Sequence, residues 1–284
     1  MKTYKTLLAL ILMIVVAGAA AFAGDASTQP QSSASPAPFS ALPASSSSSS
    51  SSAPMGVWMG KGQLGYVASQ GNSPATSANA VLDMSYLEMD WKHSLHFDFL
   101  YGEAANVVSA ERWDALWQSN YNFTSSLYVF GNLAYVHDLF DGFEYQASGT
   151  AGIGYNVIKT DSTALSVQVG AGYLAQRPEE VNKDALGIVT SRVLLPTANT
   201  AVGAIGLTYS QKLTPSTSIS DSFLLEGGSA NSLITNNLAL IVKISTKLAL
   251  NLGYNIVDNT QPPPASPPLK SIDSFETVNL QYSF

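Results

Sequence analysis

Three histidines, His93, His96 and His137, are the side chains of this chain best suited to proton transfer or metal binding. His96 and Asp98 stand two apart, and His137 is followed directly by Asp138. Two ligands do not make a metal site, which needs three or four at the right geometry. A serine nucleophile needs its base within about 3 Å and a third group to orient that base. No serine here sits in a recognisable nucleophile motif. Gly149-x-x-Gly152-x-Gly154 is no phosphate loop, because it lies inside a β-patterned stretch with no helix after it. The sequence therefore assigns no catalytic, cofactor-binding or metal-ligating residue, and predicts no cofactor. A different pattern stands out. Lys61, Asp83, His96, Asp98, Arg112, Asp114, Asp138, Glu144, Lys243 and Asp273, with Lys212 and Glu226, fall at positions of one parity in stretches whose other parity is apolar. Charges of both signs on a shared inner face suit a wet channel or a salt-bridged interior better than a reaction centre.

The elements that carry these residues read as strands. A two-residue period marks a strand with one oily and one wet face. It recurs at Val57–Ser69, Ala78–Trp91, Ser94–Gly102, Glu111–Phe123, Leu127–Asp138 and Phe143–Val157. It continues at Thr163–Leu174, near Thr200–Leu213, Ser216–Gly227 and Leu233–Ile244, and at Lys247–Val257. The twelfth and clearest stretch, Ser271–Phe284, alternates Val278, Leu280, Tyr282 and Phe284 with Thr277, Asn279, Gln281 and Ser283. The second strand loses phase near Leu87, which predicts a bulge or an exit from the membrane. In Ser216–Gly227 the apolar face would include Asp221. Predicted connections alternate in length. Lys92-His93, Thr124–Ser126, Lys159–Ser162, Thr214-Pro215 and Ser245-Thr246 are tight, whereas Ala175–Asn199 and Asp258–Lys270 are long.

No run of eighteen apolar residues follows the N-terminus, so helical spans are excluded and a closed barrel is the other backbone solution in lipid. The fold class is all-β: an antiparallel transmembrane β-barrel of about twelve strands. Alternating short and long connections match the turns and loops of such barrels, and an even strand number leaves both chain ends in the periplasm. Residues 1–23 read as a signal peptide, with Lys2 and Lys5 before the apolar Leu7–Val16 and a cleavage site at Ala21-Phe22-Ala23. Residues 24–54, with serines unbroken from Ser45 to Ser52, are too poor in apolar side chains to fold and read as a disordered linker. Residues 55–284 form the barrel. The chain has no cysteine, hence no disulfides and no lipoprotein anchor, and its net charge of −7 argues against nucleic acid as a partner.

Several features together resemble the salt-induced outer-membrane proteins, a family built on a domain of unknown function. They are Trp58-x-Gly60 with Gly65, Gly71-Asn72, Asp138-Leu139-Phe140 followed by Gly142, and Gly152-Ile153-Gly154-Tyr155. The tail adds Asn259 to Pro264, Lys270, Asp273 and Leu280-Gln281-Tyr282-Ser283-Phe284. The resemblance spans about Gly56 to Phe284. Gln146 departs from it, standing where the family tends to carry an arginine. The resemblance implies an integral barrel in the bacterial outer membrane and no known activity. A final phenylalanine after alternating apolar residues also resembles the signal read by the barrel assembly machinery. That machinery and outer-membrane lipids are the expected partners. The expected function is structural or passive transport through a narrow pore, not enzymatic. The competing class is an outer-membrane lipid-modifying enzyme of phospholipase or acyltransferase type.

Overall fold

The computed structural model describes residues 56–69, 75–104, 107–139, 142–183, 189–229, 232–262 and 271–284. The expected leader and linker lie outside them, as do Gly71-Asn72 and Phe140. Among the described residues there are thirteen strands: β1 (Val57–Ser69), β2 (Ala75–Glu88), β3 (Trp91–Ala104), β4 (Val107–Asn122), β5 (Leu127–Asp138), β6 (Phe143–Lys159) and β7 (Thr163–Lys183), then β8 (Val189–Leu194), β9 (Ala198–Lys212), β10 (Thr217–Gly228), β11 (Ser232–Lys243), β12 (Leu248–Asn259) and β13 (Ile272–Ser283). All pairings are antiparallel. β7 pairs with both β6 and β9, and β1 with both β2 and β13, so twelve strands close a ring. Closure removes the unpaired edges that a lipid environment forbids. β8 stands outside the ring and pairs only with the far end of β7.

Alternation sorts the side chains as the period requires. On β13, Val278, Leu280 and Phe284 point outward and are 63%, 52% and 59% exposed, whereas Asn279 and Gln281 are buried inside. The closing seam is short, with Lys61 to Leu64 of β1 opposite Leu280 to Ser283 of β13. Reciprocal bonds between Gly60 and Phe284 extend it: Gly60 N–H donates to Phe284 O at 3.0 Å, and Phe284 N–H to Gly60 O at 2.9 Å. A Cβ on Gly60 would lie 2.4 Å from the Phe284 ring, so the glycine is what lets the terminal ring sit there.

Four of the tight turns share one device. Thr124, Thr160, Thr214 and Ser245 each accept, through the side-chain oxygen, the N–H of the residue three further on, at 2.9 to 3.1 Å. Short hydroxyl side chains stabilise turns in this way. The fifth turn, Met89-Asp90, uses a left-handed Met89 at φ 46. The end of the barrel carrying these turns is called the turn end below, and the opposite end the loop end.

Strand boundaries moved in three places. β2 runs unbroken to Glu88, paired with Trp91, so there is no bulge at Leu87 and Lys92-His93 belong to β3. β3 and β4 reach to Ala104 and Val107, which leaves a short connection at the loop end where a longer one was expected. Much of the predicted Ala175–Asn199 loop is a hairpin extension, the end of β7 with β8 folded back on it. Period alone does not reveal these extensions, because a strand leaving the membrane no longer needs an apolar face.

Candidate functional site in the barrel lumen

The inner faces of β1 to β4 carry a chain of charges. Lys61 Nζ lies 3.5 Å from Asp83 Oδ2, and Asp83 Oδ1 lies 2.7 Å from His96 Nδ1. His96 Nε2 is 3.9 Å from Asp114 Oδ2, and Arg112 Nη2 donates to Asp114 Oδ1 at 2.7 Å. Lys61 and Asp83 are direct cross-strand partners, as are Asp83 and His96, so strand register alone assembles the first half. Asp98 sits opposite Asp114, and Arg112 opposite Asp138. Arg112, 1% exposed, keeps Nε and Nη1 without a protein hydrogen bond. The arrangement can hold polar solutes or fix the lumen's shape. Among the described residues no group of three or more His, Asp or Glu is placed to hold a metal ion.

The other charged residues marked in the sequence are scattered. Lys212 and Lys243 end β9 and β11 at the turn end. Glu226 is buried on the inner face of β10. Glu144 lies where the β5–β6 register shifts, and its Oε2 pairs at 3.0 Å with Arg177 Nη1, both side chains over a third exposed. It is therefore at the bulged loop end, apart from the charge chain. Asp273 stands opposite Val257 in β13, and its side chain is outside the described residues.

Beside the charge chain the inner faces of β1, β2, β12 and β13 carry a cluster of amides, and Ser220, Ser222 and Asn237 of β10 and β11 line the opposite wall. Asn251 donates to Gln63 Oε1 at 2.8 Å, and Asn79 to Asn279 Oδ1 at 3.0 Å. The latter pair meets over Gly65, where a Cβ would fall 2.2 Å from Asn79 Oδ1. Between the two walls lies a cavity of about 150 Å³. A second cavity, of about 260 Å³, opens at the turn end. The two share Lys61, Ser220 and Ile241 along their linings. Leu116, Ala134 and Val136 of β4–β5 meet Leu233 and Val257 of β11–β12, with Leu224 packed against them. All six are inner-face positions, so this apolar contact crosses the lumen and narrows it.

Two outer-wall contacts escaped the sequence. Asp221 does face outward, since Ser222 and Glu226 are buried inside and the β10 register is unbroken. Asn236 Nδ2 donates to it at 2.8 Å from β11, which satisfies one carboxylate oxygen on the lipid side. His93 Nδ1 lies 2.7 Å from Ser119 Oγ, also on the outer wall, with the imidazole stacked on Trp91 at 5.7 Å and facing Trp117 at 6.3 Å. The two residues are 26 apart in the chain. Only β3–β4 register brings them together. His137 is outward too, against Trp113, with Nδ1 bonded to Glu144 O at 2.6 Å.

The family model described as a protein of unknown function, DUF481, matches residues 62–284. A relative, the uncharacterized protein YdiY of Escherichia coli K12, is 25% identical over 226 residues, 77% of this chain and 80% of that protein. Among solved structures, the translocator domain of the autotransporter NalP from Neisseria meningitidis is 14% identical with a TM-score of 0.42, covering 80% of this chain and 87% of that one. The NanC porin is 10% identical with a TM-score of 0.43, covering 80% and 98%. The anion-selective porin from Comamonas acidovorans is 9% identical with a TM-score of 0.38, covering 81% and 99%.

Proposed function

We propose that this chain, which belongs to the DUF481 family, is a bacterial outer-membrane barrel whose lumen is a narrow, normally constricted passive pathway for small polar solutes. One observation carries the reading: adjoining cavities lined largely by polar residues run inward from the turn end, and the innermost linings Asp114, Ser222 and Asn255 stand two residues along their strands from Leu116, Leu224 and Val257 of the apolar contact between β4–β5 and β10–β12. Twelve-stranded barrels fall between filled eight-stranded cylinders and open sixteen-stranded porins. Hydrophobic constrictions of this kind gate by dewetting. The turn end is the periplasmic end in this reading, with the start of β1 and Phe284 on the same side. The test is single-channel conductance of refolded protein in planar bilayers. The native barrel should give small, infrequent openings, and Leu233→Ser with Val257→Ser should raise conductance or open time several-fold. Absence of conductance from both proteins would leave a sealed structural barrel.

The His93–Ser119 contact favours a second reading, a lipid acyl hydrolase mounted on the outer wall. It has the nucleophile and the base at bonding distance, but no carboxylate among the described residues is bonded to that imidazole to orient it. Aromatic stacking holds the ring instead. Turnover of a fluorogenic phospholipid, lost in Ser119→Ala, would establish this reading. The imidazole at Ser119 is that of His93; His137 is bonded instead to the Glu144 carbonyl.

A further inference from the structure

The thirteen lysines and arginines of this acidic chain are unevenly placed, and two of them converge where no acid lines the wall. The turn-end cavity is lined by Lys61, Lys212 and Lys243, by hydroxyl side chains and by apolar or amide groups, with no carboxylate among its linings. Lys61 is engaged by Asp83. Lys212 and Lys243 make no ion pair with a described residue, and both are exposed. Strand register explains the lining. Ser218 faces Lys212, Ser220 faces Ser210, and Ser222 faces Thr208, so the inner faces of β9 and β10 form a ladder of hydroxyls rising from the lysine. Asp161 is an exposed turn residue beside the cavity-lining Ser162 and does not line the space itself, and Asp83 adjoins it only through its pairing with Lys61.

We propose that this turn-end mouth is a binding site for a small oxyanion of the phosphate class, held by Lys212 and Lys243 with serine and threonine hydroxyls completing its shell. An ammonium is a compact charge with three donors, and each hydroxyl can donate one proton, so together they suit an acceptor-only oxyanion. A cleft with low-dielectric walls and one sign of charge concentrates the opposite ion. Two such charges facing one space repel each other when it is empty, and a bound anion relieves that repulsion. The 260 Å³ space accommodates a phosphate or the phosphate end of a larger solute. The site does not rest on the pore reading, because a sealed barrel presents the same mouth.

The test uses refolded full-length protein in neutral detergent micelles, with inorganic phosphate as the probe and isothermal titration as the readout. Saturable binding should appear at low salt. It should weaken at least tenfold in the Lys212→Gln, Lys243→Gln double variant. Lys247→Gln is the control: this lysine lies over the ring of Tyr282, outside the cavity, and its loss should leave binding unchanged. Heat-modifiable migration on gels shows that each variant is folded. Competition by phosphatidylglycerol in nanodiscs would assign the phosphate to a lipid headgroup, and lack of competition to a soluble solute; either supports the site. Binding that fails to saturate, survives in the double variant, or falls equally in the Lys247 control overturns it. Conductance without phosphate binding would sink this proposal while leaving the pore intact, and the converse would do the opposite.

Discussion

At the scale of single residues, the lumen's stability turns on Arg112. Its guanidinium is almost wholly buried, bonded to Asp114 and set opposite Asp138. Removing one partner of a buried pair leaves an uncompensated charge, which costs far more than the pair itself contributes. Arg112→Ala should therefore destabilise the barrel by about 3–5 kcal/mol in a urea refolding titration. Arg112→Met combined with Asp114→Leu should recover most of that loss. If the single and double variants unfold alike, the charge pairing is not what matters at this position. Lipid exposure sets a second residue-scale contrast. Leu280 projects outward beside the buried Asn279. Leu280→Arg should cost about 2–4 kcal/mol if it sits near the midplane, and less toward an interface. Asn279→Arg should be tolerated better, because its side chain enters the polar lumen. Equal penalties would mean that β13 is out of register.

At the scale of elements, the β6–β7 seam depends on glycines that face each other. A Cβ on Gly172 would fall 2.0 Å from Gly149 O and 2.7 Å from Thr150 Cα. One on Gly152 would fall 2.1 Å from Val169 O. Backbone atoms cannot step aside as flexible side chains do, so the two strands approach this closely only with glycine there. Close backbone approach is the reason for glycine at Gly152 and Gly172. Gly172→Val should cost about 1–3 kcal/mol or more through forced backbone displacement. Gly203→Ala on neighbouring β9 meets nothing within 4 Å and should be nearly silent. Thermal unfolding followed by circular dichroism distinguishes them, and similar melting temperatures would remove the seam argument.

At the scale of the whole molecule, closure is what sets β13 beside β1 and one wall of the lumen against another. The ring brings β13 onto β1 through a short register that ends on the terminal residue. Deleting Phe284 removes both reciprocal bonds with Gly60 and the ring packed over that glycine. The truncated chain should refold more slowly and migrate in the unfolded position on gels after a fixed refolding time, whereas Phe284→Tyr should behave as the native chain. Equivalent refolding of all three would show that closure does not depend on the last residue. In cells, the proposed location predicts partition with outer membranes and a mature N-terminus near Gly24; recovery in the soluble fraction, or an N-terminus at Met1, would contradict it.

The strand class and a ring of about twelve strands followed from period in the sequence, and parity separated Asn279 and Gln281 from Val278 and Leu280. Parity is a local property: Asn279 and Leu280 take opposite faces whatever their neighbours do. The same logic had already put Asp221 among apolar residues, and the structure keeps it there. Register is not local. That Asp83 meets both Lys61 and His96, that Ser119 meets His93, and that Asn236 meets Asp221 depend on offsets between strands, and nothing in a single strand's pattern records these. The apolar contact across the lumen is less legible still. Leu116, Val136, Leu233 and Val257 lie on inner faces that mix polar and apolar residues, and they touch because closure sets β4–β5 opposite β11–β12. The chain's own pattern determined which side of the wall each residue takes; shear and closure decided what it meets there, because contact distance depends on three dimensions and alternation encodes only one.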